Sequence, residues 1–182
     1  MISKQTRKSG MKGFSLLELL LVVAVGAVLI LAGLGAYRLV SENNNTNQAS
    51  RQLATLKQQV QQTFQGQTGY PATANLLTTM NSLKAVPSDM AIVGLAAGTL
   101  KGALGTVTLA SPAANSTTFT ITMAGVPRSA CVKLAQSFNQ DNSSDTTGVS
   151  IGGTAIASGG FTQTALSASC AAAGNAMIWT FQ

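Results

Sequence analysis

Three sets of side chains in this sequence have chemistry to offer: one carboxylate inside an apolar run, two cysteines, and four further carboxylates scattered along the chain. Glu18 is the only ionisable residue between Phe14 and Tyr37 and sits one helical turn beyond Phe14. A carboxylate in hydrocarbon costs about a few kcal/mol unless it finds a partner or stays near the interface. A neighbouring subunit's N-terminal amine would be such a partner if cleavage exposed one; the alternative is an interfacial carboxylate that snorkels to water and has no role. Cys131 and Cys170 are the only cysteines. Glu42, Asp89, Asp141 and Asp145 show no pairing suited to general acid/base work, and histidine is absent, so nothing points to an enzyme.

Two weaker readings fall away on spacing. Asp141 and Asp145 share the polar stretch Asn139 to Thr147, but two carboxylates without an EF-hand pattern describe a solvated loop better than a calcium site. Gly94, Gly98, Gly102 and Gly105 are not followed by GKS or GKT, so they do not form a phosphate loop. No cofactor is expected.

The elements that must position these residues begin with a stem. Leu19 to Tyr37 is 19 successive uncharged residues, close to the roughly 20 that a spanning helix needs. A cleaved secretory signal is the weaker alternative, since its apolar region should be shorter and end at a small-residue site, which Gly33, Gly35 and Ala36 only imitate. Of the 11 basic residues, Lys4, Arg7, Lys8 and Lys12 precede Phe14. They account for most of the formal charge of +6, and the remaining seven against five acids make no phosphate-binding stripe, so direct nucleic-acid binding is not expected. Basic residues before a first apolar helix hold that end in the cytoplasm, and the C-terminal side is translocated. Both cysteines then reach an oxidising compartment, where a disulfide would enclose 38 residues. Chain entropy gives such a bridge about 4 kcal/mol. Two separate buried thiols are the alternative.

Gly13-Phe14-Ser15-Leu16-Leu17-Glu18, after a short basic leader and before an apolar run, resembles the class III signal of type IV pilins and the related pseudopilins. The resemblance implies that a membrane-embedded prepilin peptidase cuts between Gly13 and Phe14 and N-methylates Phe14. It also implies that Glu18 aligns subunits by pairing with the terminal amine of a neighbour. It covers residues 10 to about 65 most clearly. In the head, Ala130-Cys131-Val132-Lys133-Leu134-Ala135 together with Cys170 is similar to type IVb pilins of the bundle-forming and conjugative-pilus kind. Phe14 is the first-residue type usual for type IVa, and a 13-residue leader lies between the two subtypes' lengths; these departures bear on subtype, not on the signal.

Past the membrane segment, Ala49, Leu53, Leu56, Val60 and Phe64 mark one apolar helix face amid glutamines. Ser41 to Asn47, SENNNTN, is a weak spot where a bend is the alternative, but one helix from about Phe14 to Gln65, roughly 80 Å long, is favoured. Gly66, Gly69 and Pro71 provide a stop. Beyond it, Ala74 to Leu83 reads as a short helix, Met90 to Leu109 as short strands or packed loop, and Thr117 to Met123 as a strand. Ser129 to Phe138 reads as a helix, Val149 to Gly160 as turns beside an edge strand, and Ala176 to Phe181 as a strand returning to the sheet centre.

The expected fold class is α+β, a long N-terminal helical stem packed against a small antiparallel sheet. The expected divisions are a leader (1–13), a membrane and filament-core helix (14–37), its amphipathic continuation (38–66) and a head (67–182) with a disulfide-bounded region (131–170). The expected function is a structural subunit, a major pilin, that polymerises through its stem and serves adhesion, aggregation, motility or DNA transfer. The alternatives are a minor pilin or type II secretion pseudopilin, or a membrane-tethered binding domain. The expected partners are further copies of the chain, prepilin peptidase, the inner-membrane assembly machinery and ligands on host or bacterial surfaces. The expected location is the inner membrane first and an extracellular pilus afterwards.

Overall fold

Leu, Val and Ala dominate the first half of the stem and glutamine the second, and both halves are helical: α1 runs Leu16–Thr63. Helix continues through Ser41 to Asn47, where the Thr46 hydroxyl donates to the Glu42 carbonyl at 2.7 Å. The i−4 carbonyl has a second lone pair for this hydroxyl, so the bond is made without taking the helix out of register. The chain turns away after Thr63 through Gly66, whose φ of +83° is the left-handed conformation that ends helices. The structure, a computed structural model, describes residues 16–172 and 174–182. Contacts divide the chain after Ser41. The first unit contributes the apolar part of α1; the second, Glu42–Gln182, holds all other elements.

Within the second unit, the elements after α1 are α2 (Thr73–Ser82), β1 (Ala91–Gly94), β2 (Thr99–Lys101), β3 (Thr106–Ala110) and β4 (Phe119–Val126). They continue as α3 (Arg128–Ser137), β5 (Thr146–Ile151), β6 (Thr154–Ile156), α4 (Gln163–Ser169) and β7 (Asn175–Phe181). The seven strands form one sheet in the order β1-β2-β3-β4-β7-β5-β6, with every adjacent pair antiparallel. β7, last in sequence, lies between β4 and β5.

Register explains why this sheet has a core. Leu100 pairs with Val107, Val107 with Met123, Met123 with Met177 and Met177 with Ile151, a row of five apolar residues crossing five strands. The next row runs Leu109, Ile121, Trp179, Val149. All nine are buried, and cross-strand apolar neighbours of this kind are the stabilising unit of a sheet. Ala49, Leu53, Leu56 and Val60 of α1, and Phe64 just beyond its end, belong to the same core.

The stretch Met90 to Leu109, which lacks a clean period in sequence, resolves into β1, β2 and β3. Gly98 makes the tight link between them: its φ is +63°, and a Cβ there would lie 2.0 Å from the Leu109 carbonyl oxygen. That close approach lets the Leu109 N–H donate to the Gly98 carbonyl at 2.7 Å. The expected turns in Val149 to Gly160 are the β5–β6 hairpin, followed by α4, a helix that hydrophobic periodicity does not announce.

Candidate functional site

The stem of the first unit is built to meet something other than water. Along Leu16 to Val40 the large apolar side chains are exposed, from 52% at Val25 to 79% at Leu16. This part of α1 is long and apolar enough to cross a membrane. Glu18 lies in the first turn of α1. Gly13 and Phe14, the expected cleavage pair, lie outside the described residues.

In the second unit, polar contacts beside its apolar stripe fix α1 to the rest of the head. Gln52, 2% exposed, donates from Nε2 to the Asp89 carboxylate at 2.9 Å and to the Asp89 carbonyl at 3.2 Å. Its Oε1 accepts from the Ala103 N–H at 2.8 Å. One amide thus ties α1 to the approach to β1 and to the β2–β3 turn. Sequence reasoning placed Gln52 among the surrounding glutamines. The available signal was its position, three residues after Ala49 and four before Leu56, on the buried face. Gln52→Ala is expected to destabilise the head by about 1–3 kcal/mol, because the part-buried Ala103 N–H loses its acceptor and a void opens. Thermal denaturation in detergent should read this as a midpoint lowered by roughly 3–8 °C.

Further along α1, Lys57 Nζ lies 3.2 Å from Asp145 Oδ2 and 5.2 Å from the Phe181 ring centroid. Asp145 is half exposed, so solvent screening holds this pair to about 1 kcal/mol or less. Gln61 Nε2 donates to the Gln182 carbonyl at 2.7 Å. The rings of Phe64, Tyr70, Phe119 and Phe181 follow one another at 6.0, 4.8 and 5.5 Å. Burial raises the Tyr70 phenol above its ordinary pKa, and the Asp145 charge adds to the shift.

Cys131 and Cys170 form a disulfide with Cα atoms 5.9 Å apart, and neither is exposed. It joins the first turns of α3 to the residue that ends α4. Asn175 carries the constraint into β7 by donating from Nδ2 to the carbonyls of Ala172 at 2.8 Å and Cys170 at 3.3 Å.

The two loop carboxylates have separate protein partners. Asp145 meets Lys57, whereas Asp141 accepts from the Ser158 hydroxyl and from the Gly159 N–H at 2.8 Å. The Ser158 bond first and the Gly159 bond second lower the Asp141 pKa from its ordinary 3.8. A lowered folded pKa means that this latch contributes fully above the ordinary carboxylate value and is lost as pH falls through the folded one. Among the described residues, no group of three His, Cys, Asp or Glu side chains could hold a metal ion.

This arrangement is similar to solved pilins. A crystal structure of a type IV b pilin from Salmonella typhi matches with a TM-score of 0.56 at 22% identity, covering 72% of this chain and 95% of that one. TcpA, a type IV pilin from the Vibrio cholerae El Tor biotype, matches with a TM-score of 0.52 at 17% identity, covering 76% of this chain and 99% of that one. At these identities the likeness speaks for fold. In sequence, residues 8–34 match the prokaryotic N-terminal methylation motif. Residues 43–182, more than half of the chain, match the family described as PilS N terminal. The chain belongs to the type IV pilin family.

No curated protein matches this pilin. Its long helix against an antiparallel sheet is the type IV pilin fold, a structural subunit's architecture and not an enzyme's. The methylation motif overlaps the exposed apolar part of α1, consistent with passage from membrane to surface pilus.

Proposed function

We propose that this pilin is the major subunit of a type IV pilus, made as a prepilin. Prepilin peptidase removes residues 1–13 and methylates Phe14, and residues 14–37 then hold the subunit in the inner membrane with its head outside. Assembly moves the stem from lipid into a bundle of identical stems. The observation that carries this reading is the exposure of the whole apolar run from Leu16 to Val40, beside a head that has closed its own core. Such a surface needs an apolar solvent throughout its life, and lipid and a bundle of stems supply it in turn. Glu18 aligns each incoming stem by pairing with the terminal amine of a neighbour. The segment Asn139 to Gly160, with the exposed Gly152-Gly153 turn that joins β5 to β6, is the surface offered to host cells or other fibres.

The test couples electron microscopy of sheared surface fibres to mass spectrometry of their protein. The expected result is fibres whose bulk component begins at N-methylated Phe14. Fibres that contain this chain only in traces would favour a minor pilin or secretion pseudopilin. A chain still beginning at Met1 would overturn processing, and one beginning near Tyr37 would favour ordinary secretion and a released head.

A further inference from the structure

An open cavity of about 730 Å³ in the second unit has charges of both signs on its wall: Glu42 from α1, and Arg128 and Lys133 from α3. Its floor includes Val132, which is 7% exposed. Both cations are held in place by neutral acceptors. Arg128 Nη2 donates to the Ser167 carbonyl at 3.1 Å, and Lys133 Nζ donates to Asn43 Oδ1 at 2.6 Å. Each keeps further N–H donors for another partner, since a guanidinium carries five and an ammonium three. Glu42 is exposed, and its side chain is not engaged by either cation in a salt bridge. The cavity therefore presents two donors of positive charge and one carboxylate that do not neutralise one another.

Chain position says what such a cavity meets. The uncharged run ends at Tyr37, before Arg38, and Glu42 follows Tyr37 by five positions in a continuous helix, a rise of about 7.5 Å. If the apolar run lies in hydrocarbon, Glu42 and Asn43 emerge in the headgroup layer, and the 2.6 Å bond brings Lys133 to the same level. The headgroup that complements two cations and one carboxylate has a phosphate and a primary ammonium. A phosphoglycerol headgroup offers Glu42 only neutral hydroxyl donors without a compensating positive charge, and a quaternary ammonium has no N–H to donate to it.

We propose that this cavity seats the headgroup of an aminophospholipid of the phosphatidylethanolamine type while the subunit is stored in the membrane. Arg128 and Lys133 take the phosphate, and Glu42 takes the ammonium. The contact fixes the stored head at the bilayer surface and is given up on extraction into a fibre. This inference rests on the proposed membrane-stored state.

The test uses the full chain in phosphatidylcholine nanodiscs doped with either phosphatidylethanolamine or phosphatidylglycerol carrying a photoactivatable group in the headgroup, with adducts mapped by mass spectrometry. The phosphatidylethanolamine probe should label residues 127–136 preferentially. Arg128→Ala and Lys133→Ala, both at exposed positions, should each cut that labelling by roughly five- to tenfold, the worth of one charge-assisted contact. Glu42→Gln should reduce labelling by the ethanolamine probe and not by the glycerol probe. Equal labelling by the two probes, or labelling indifferent to all three substitutions, would overturn the proposal. A second probe with the photoactivatable group in the acyl chain separates the two levels of the argument. Labelled Leu16 to Val40 with an unlabelled cavity rejects the headgroup site alone, whereas an unlabelled stem rejects the membrane-stored state and the site with it.

Discussion

Glu18→Ala should leave the chain inserted in the membrane and processed, yet reduce surface fibres at least tenfold. Removing a carboxylate from an apolar segment lowers the cost of inserting it, so the stored subunit is not impaired. The loss falls on polymerisation, where each added subunit forfeits one carboxylate–ammonium pair in an apolar surround. Even about 1.4 kcal/mol per contact is a factor of ten in the equilibrium constant for every subunit added. Counting sheared fibres by electron microscopy, against immunoblots of the membrane fraction, separates the two effects. Glu18→Gln, which keeps the shape and loses the charge, should follow the alanine variant. Fibres in normal number from either variant would remove the proposed alignment role.

Cys131→Ser or Cys170→Ser should lower the thermal midpoint of the head by roughly 10 °C in oxidising buffer. The bridge spans a sequence separation of 39, which is worth about 4 kcal/mol by chain entropy. The structure indicates where the loss would be felt. α4 buries only Leu166 besides the bridged Cys170, so without the bond residues 163 to 172 are held to α3 by Leu166 and two exposed hydrogen bonds, from Arg128 to the Ser167 carbonyl and from Gln136 to Gln163. Limited proteolysis should therefore cut first in that segment, well below the melting transition. Reductant should lower the unmodified chain to the same midpoint and leave the variants unchanged. An unaltered midpoint would mean that packing around Leu166 and Asn175 suffices.

The parts of the fold legible in sequence are those where burial repeats at the period of the element. Phe119, Ile121 and Met123 alternate with threonines and form β4; Met177, Trp179 and Phe181 are the buried alternate residues of β7, with Ile178 and Thr180 between them; the stripe from Ala49 to Val60 forms the buried face of α1, and Phe64 continues it just past the helix end. Legibility fails where an element is too short for its period to show. β2 has three residues with one buried, Leu100, and it is joined to β1 through Gly98, a residue that carries no hydrophobic signal. α4 has seven residues and one buried side chain. The candidate site divides the same way. Glu18 stands out because everything near it is apolar, while Gln52 is hidden because it resembles Gln48, Gln58 and Gln59, and only long-range contacts with Asp89 and Ala103 distinguish it. The charges of the headgroup cavity come from α1 and α3, more than 80 residues apart, and no local pattern could have joined them.

The position of β7 between β4 and β5 sets a rule for synthesis. Until residue 181 has been made and exported, β4 and β5 each present an open edge, and the Ile121–Trp179–Val149 row has no middle. Closure of the sheet thus waits for the chain through Phe181. A chain stalled or clipped before Asn175 offers two sticky borders to proteases and to other such chains.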